Sequence, residues 1–141
     1  MTSPTTATIT RDEAQIRQLI TEQASAICAK NLDQIMAPYS PDVVLFDVKP
    51  PLQLKGVTAL RQMWETCLPC MPNASGTETQ DLSITISGDL ALAHWISHFT
   101  GIDADHPAAQ MRFRITVGYQ KHEGHWQIVH EHCSVPLMAA A

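Results

Sequence analysis

The sequence predicts an α+β domain: an N-terminal helical layer folded over a strongly curved, mostly antiparallel sheet of six strands that encloses one pocket. Apolar residues recur at three- and four-residue spacing in three segments up to Leu68, with a short hairpin between the second and third, and from Thr77 onward the spacing changes to two. Turn signals then separate the second half into long strands suited to a meander. The chain of 141 residues has the size of one domain and contains no repeat, linker or low-complexity run, so a single unit over residues 10–138 is expected.

Thr10-Arg-Asp-Glu13 reads as a capping box, with hydroxyl and carboxylate each satisfying a backbone N–H. Behind it Ile16, Leu19, Ile20, Ala24 and Ile27 make one apolar stripe on a helix reaching about Ala29. Asn31 can cap a second, short helix holding Leu32, Ile35 and Met36, which Pro38 and Pro41 end. Val43 to Val48 predicts a strand, and Pro50-Pro51 turns it towards a second short strand ending at Gly56. Thr58 opens a third helix with Leu60, Met63, Trp64 and Leu68 on one side. Leu82, Ile84 and Ile86 alternate with polar neighbours up to a turn at Gly88-Asp89. Leu90 to Ile102, Met111 to Lys121 and His125 to Val135 complete the meander.

The formal charge of −5 and the absence of a Lys/Arg cluster exclude a nucleic-acid partner. No run reaches the length of a membrane span, so no membrane partner is expected. The first nine residues are rich in Ser, Thr and Pro and lack the basic start and apolar core of a secretory signal. They read as a frayed tail, and a cytoplasmic location follows as an expectation. Cys67-Leu-Pro-Cys70 has the spacing of a redox pair, but it falls at a helix end rather than a helix start. Two half-buried free thiols are the expected reading.

The Glu123-Gly124 turn sets a register that pairs Lys121 with Trp126, Thr116 with Glu131 and Arg114 with Cys133. Strict alternation then separates two faces. One holds Phe113, Ile115, Val117, Tyr119, Trp126, Ile128, His130 and His132; the other holds Arg112, Arg114, Thr116, Val129, Glu131 and Cys133. Patterning alone sets the apolar face against the helices.

Ala29-Lys-Asn-Leu-Asp-Gln-Ile-Met-Ala-Pro-Tyr-Ser-Pro-Asp42, followed by Val43-Val-Leu-Phe-Asp47, resembles the helix-to-strand entry of the nuclear-transport-factor-2-like superfamily. That is the class of SnoaL-like polyketide cyclases and ketosteroid isomerases. Trp126-Gln-Ile-Val-His-Glu-His-Cys-Ser134, with Pro136, resembles the last strand of the calcium/calmodulin-dependent kinase II association (hub) domain, and Ile86 to Asp103 fits its fourth strand. The likeness runs from about Arg11 to Pro136 and implies a cone-shaped sheet wrapped around the N-terminal helices. It also implies the opposite choice of faces. Ala93, Trp95, Ser97, Phe99, Arg112, Arg114, Thr116, Glu131 and Cys133 would line the cone, with Trp64 of the third helix as a further ligand-binding residue, and the apolar-plus-histidine face would lie outside under a second copy of the chain.

In the resemblance Asp47 occupies the place of the general-base aspartate of ketosteroid isomerase, where an apolar surrounding tunes a carboxylate for proton transfer next to a carbonyl. Gln23 stands for the oxyanion-hole tyrosine and Thr116 for the protonated aspartate, both weaker acids. Arg112 and Arg114 suit a carboxylate-bearing ligand, or Arg114 pairs with Glu131 inside the cone. His130 and His132 share a face, with His94 and His98 on a nearby strand, but no third ligand of carboxylate type joins them. Packed histidines at an interface are expected there, with no metal and no cofactor. Cys133 lacks the base and oxyanion hole that nucleophilic catalysis needs.

Two functions remain open. One is a small-molecule isomerase, lyase or cyclase using Asp47 on an apolar carbonyl compound. The other is a non-catalytic ligand-binding or oligomerisation module of the hub type. A homodimer joined through the outer sheet face, built on Phe113, Ile115, Val117, Trp126 and Ile128, is expected, whereas a hub would form rings larger than dimers.

Overall fold

The computed structural model describes residues 10–137; the tail at 1–9 and the expected last domain residue, Met138, lie outside the described residues. Helix α1 spans Arg11–Cys28, α2 spans Leu32–Met36 and α3 spans Val57–Cys67. The strands are β1 Tyr39–Phe46, β2 Leu54–Lys55, β3 Gly76–Ser87, β4 Leu90–Thr100, β5 Phe113–His122 and β6 His125–Ser134. They form one sheet in the order β2-β1-β6-β5-β4-β3, antiparallel throughout except where β1 lies parallel to β6.

The N-cap side chains of α1 and α2 follow the sequence. Thr10 Oγ1 accepts the Glu13 N–H at 3.0 Å and Asn31 Oδ1 accepts the Gln34 N–H at 3.2 Å, each satisfying an orphan donor of a first helical turn. The Glu13 carboxylate does not complete the expected capping box; it takes Arg17 Nε instead, at 3.0 Å. Asp12, favoured by the positive end of α1, accepts Lys121 Nζ at 2.8 Å and Trp126 Nε1 at 3.1 Å. Those bonds hold its carboxyl below the usual range and tie the first turn of α1 to the β5–β6 hairpin. Behind this contact Ile16, Ile20, Ile35 and Leu60 from the helices meet Val43, Leu45, Val117, Tyr119 and Ile128 from the sheet, all buried.

The faces of β6 are decided by one extra residue. Lys121 pairs with Trp126, as the turn implies, and Tyr119 pairs with Ile128; the next pair is Gly118 with His130. Val129 has no opposite number. This β-bulge resets the alternation, so Trp126 and Ile128 point inward on one side of it and Glu131 and Cys133 point inward on the other. The expected pairings of Thr116 with Glu131 and Arg114 with Cys133 are therefore corrected to Val117 with Glu131 and Ile115 with Cys133.

Neither uniform assignment of faces survives. Patterning is right for β5 and for the start of β6: Val117, Trp126 and Ile128 are 2%, 4% and 1% exposed. The resemblance is right for Glu131 and Cys133, and His130 and His132 lie on the outer side. A second bulge between Gln80 and Ser83 in β3, with Asp81 at φ 56°, does the same to that strand. Such bulges bend their strands and give the sheet its curl.

Candidate functional site

The concave side of the sheet and helices α1 and α3 form a cavity of about 340 Å³ that is partly open to solvent. Its wall is overwhelmingly apolar, with Leu45, Met63, Trp64, Trp95, Phe99, Phe113 and Ile115 among the side chains that reach it. Phe99 and Phe113 meet edge to face, ring centres 6.1 Å apart, and stiffen the sheet side.

Of the residues expected here, Asp47, Trp64, Trp95, Ser97, Glu131 and Cys133 line the cavity. Arg114 and Thr116 do not. They alternate with Phe113, Ile115 and Val117 on β5, so once those three face inward the polar set must face solvent. Arg112, just before the strand, is exposed as well. Arg114 Nε donates to Ser134 Oγ at 3.0 Å, and the expected Arg114–Glu131 pair is not formed. A carboxylate-binding arginine fork inside the cone is thereby ruled out. Gln23 reaches the cavity but spends its amide N–H on the Ile35 carbonyl at 3.0 Å, joining α1 to α2.

Two carboxyls share this apolar space. Asp47 stands just beyond β1 near the rim, and its Oδ1 accepts the Val48 N–H at 2.8 Å. Glu131 lies deeper, and its Oε1 accepts the Tyr39 hydroxyl at 2.9 Å. Burial raises the Glu131 carboxyl to about 7; the Tyr39 hydrogen bond pulls it down and the charge of Asp47 pushes it up. The Tyr39 phenol is driven well above its ordinary range, chiefly by burial and then by the neighbouring glutamate, so it stays a donor. The Trp64 indole N–H is near enough to the Tyr39 oxygen to favour the phenolate, yet it lacks hydrogen-bond geometry and is buried without a partner. Burial, with the charges of Glu131 and Asp47 behind it, pushes the Cys133 thiol up to about 12. That group is an inert wall element at neutral pH.

Tyr39 is the residue that sequence reasoning missed. A buried tyrosine needs a partner for its hydroxyl, which marks it as polar machinery rather than filling. Its partner, however, is 92 residues away in the chain. Lys49 and Cys67 on the rim were missed too; the Lys49 ammonium donates to Cys67 Sγ. Outside the cone, His130 Nδ1 lies 2.8 Å from the Val44 carbonyl oxygen, and Phe46 packs edge-on to both His130 and His132.

The SnoaL-like domain family matches residues 16–138, and the chain belongs to that family. It is similar to the crystal structure of an NTF2-like protein of unknown function from Pseudomonas putida, with 37% identity over 90% of this chain and 88% of that one and a TM-score of 0.79. The fold also matches a candidate ketosteroid isomerase from Parabacteroides distasonis at 15% identity, covering 86% of this chain and 85% of that one, TM-score 0.68. A candidate calcium/calmodulin-dependent protein kinase II association domain from Xanthomonas campestris matches at 19% identity over 91% and 89% of the two chains, TM-score 0.74. No curated protein sequence matches the chain.

Proposed function

We propose that the cone binds an apolar carbonyl compound and moves a proton on it, with Asp47 as general base and Glu131 as the acid facing the carbonyl oxygen. The carrying observation is the pair of carboxyls in one apolar cavity, with Glu131 raised to about 7 while it holds the Tyr39 hydrogen bond. With its carboxyl raised to about 7, Glu131 is partly protonated at neutral pH, and a neutral carboxylic acid can donate to an oxygen as negative charge develops there. Two carboxyls whose surroundings differ suit these opposite roles. Trp64, Trp95 and Phe113 would hold a flat apolar ring system between them and exclude water.

The test is deuterium exchange at the carbon next to the carbonyl of bicyclic ketones such as 2-tetralone, followed by NMR in heavy water. Asp47→Asn should slow enzyme-dependent exchange by about a hundred- to ten-thousandfold and leave ligand affinity within about tenfold, because the amide keeps the shape but accepts no proton. Ketone binding with no exchange above buffer in the native protein would favour the second reading, a non-catalytic binding module. Against a hub whose cone is plugged, Arg114 lies outside and the cavity is open.

Homodimerisation through the outer sheet face stays part of this reading, but on other side chains. Those first named for it are inside, and the outer face instead carries Phe46, Leu92, His94, His130 and His132.

A further inference from the structure

The rim of the cavity holds a contact that the proton-transfer reading leaves unused. Lys49 lies three residues beyond β1, and Cys67 is the last residue of α3; both side chains line the cavity, and the Lys49 ammonium donates directly to Cys67 Sγ. Cys67 Sγ also lies 3.7 Å from Met63 Sδ, which keeps the sulfur turned to the cavity side of the helix. We propose that Cys67 and Lys49 form a covalent modification site, in which a hydroperoxide converts their contact into a sulfur–nitrogen cross-link across the rim.

The other cysteines are less suited. Burial raises the Cys28 and Cys133 thiols and keeps them unreactive. Cys70 is exposed but lies off the cavity wall. Among the described residues, Cys67 alone has an amine already in contact. The Cys67 hydrogen bond holds Lys49 above the usual lysine range; burial pulls it down, and the charges of Asp47 and Cys70 add to the rise.

The steps balance. The Cys67 sulfur attacks the terminal oxygen of the hydroperoxide, the O–O bond breaks, and a sulfur–oxygen bond forms. Sulfur gives up two electrons to become a sulfenic acid, and the oxidant leaves as water or an alcohol. The sulfur no longer attracts the ammonium, which releases a proton to solvent. The neutral amine then attacks sulfur, the sulfur–oxygen bond breaks, and water departs to leave a sulfenamide. Proximity favours this closure over capture by a distant thiol. The product staples the segment carrying Asp47 to α3 and is reversed by an external thiol.

Peptide mapping after hydrogen peroxide treatment of the native chain gives a direct readout. Lys49 precedes Pro50, so trypsin leaves it inside the peptide 31–55, whereas Cys67 and Cys70 both fall in the peptide 62–112. The expected product is a joined 31–55/62–112 species two hydrogens lighter than the sum of its parts, separated again by dithiothreitol. Cys70→Ser should keep the joined species and Lys49→Arg should abolish it. A Cys67–Cys70 disulfide confined to the peptide 62–112 would overturn the proposal. So would oxygen added to Cys67 while the two peptides stay apart.

Discussion

Glu131 ties the chemistry of this chain to its stability. Its carboxyl rises from an unfolded value near 4.5 to about 7 in the fold, so between those values the folded state binds more protons than the unfolded one. Stability from this group is therefore fully present below about pH 4.5 and is lost as pH rises through about 7. At pH 8 the buried carboxylate costs up to about 3 kcal/mol, less whatever water in the cavity screens. Glu131→Gln keeps the acceptor for Tyr39 and removes the charge. Urea unfolding should show the variant more stable than the native chain at pH 8 and nearly equal to it at pH 5. A stability difference that is the same at both values would mean that the Glu131 carboxyl titrates alike in the folded and the unfolded chain. Tyr39→Phe acts in the opposite sense: loss of the hydrogen bond that favours the carboxylate raises the Glu131 carboxyl further, which an infrared carboxyl titration would detect.

Among the elements, the ends of the strands are set by glycines of different kinds. Gly101 closes β4 at φ +72°, and a Cβ built there would stand 2.0 Å from Ser75 Oγ, where Ser75 N–H and Oγ both donate to the Thr100 carbonyl at 3.0 and 3.2 Å. Gly88, in the β3–β4 turn at φ +59°, has nothing within 4 Å of the same position. Gly88→Ala should then cost only the left-handed backbone penalty of about 1–2 kcal/mol. Gly101→Ala should cost about 1–3 kcal/mol more, for the crowding against the side chain and backbone nitrogen of Ser75. Thermal unfolding of the two variants gives the comparison, and equal losses would show that Ser75 moves aside freely.

For the whole molecule, the open question is what covers the convex side of the sheet. Phe46 and Leu92 are 37% and 48% exposed there, beside His94 and His132. A two-fold pairing sets such a patch against its own copy, so one substitution enters the interface twice. Sedimentation velocity at micromolar concentration and pH 8 should give the dimer mass for the native chain, and Leu92→Glu should shift it to monomer. A native monomer would leave this face to solvent.

By itself the sequence determined the element order, the N-cap side chains of the first two helices, the β5–β6 turn and its starting register, and the family. These rest on local signals: 3.6- and two-residue periodicities, caps within four residues, and a Glu-Gly turn with both residues at positive φ. It also brought Asp47, Trp64, Trp95, Ser97, Glu131 and Cys133 to one cavity, through the resemblance. Arg114 and Thr116 fell on the wrong side because every side chain beyond a bulge changes face, and a single unpaired residue such as Val129 leaves no mark in the alternation of its own strand. The pairing of Tyr39 with Glu131 and the contact of Lys49 with Cys67 were likewise decided only by the tertiary structure. Each joins groups far apart in the chain, and what brings them together is the curl of the sheet over the helices, which no local pattern encodes.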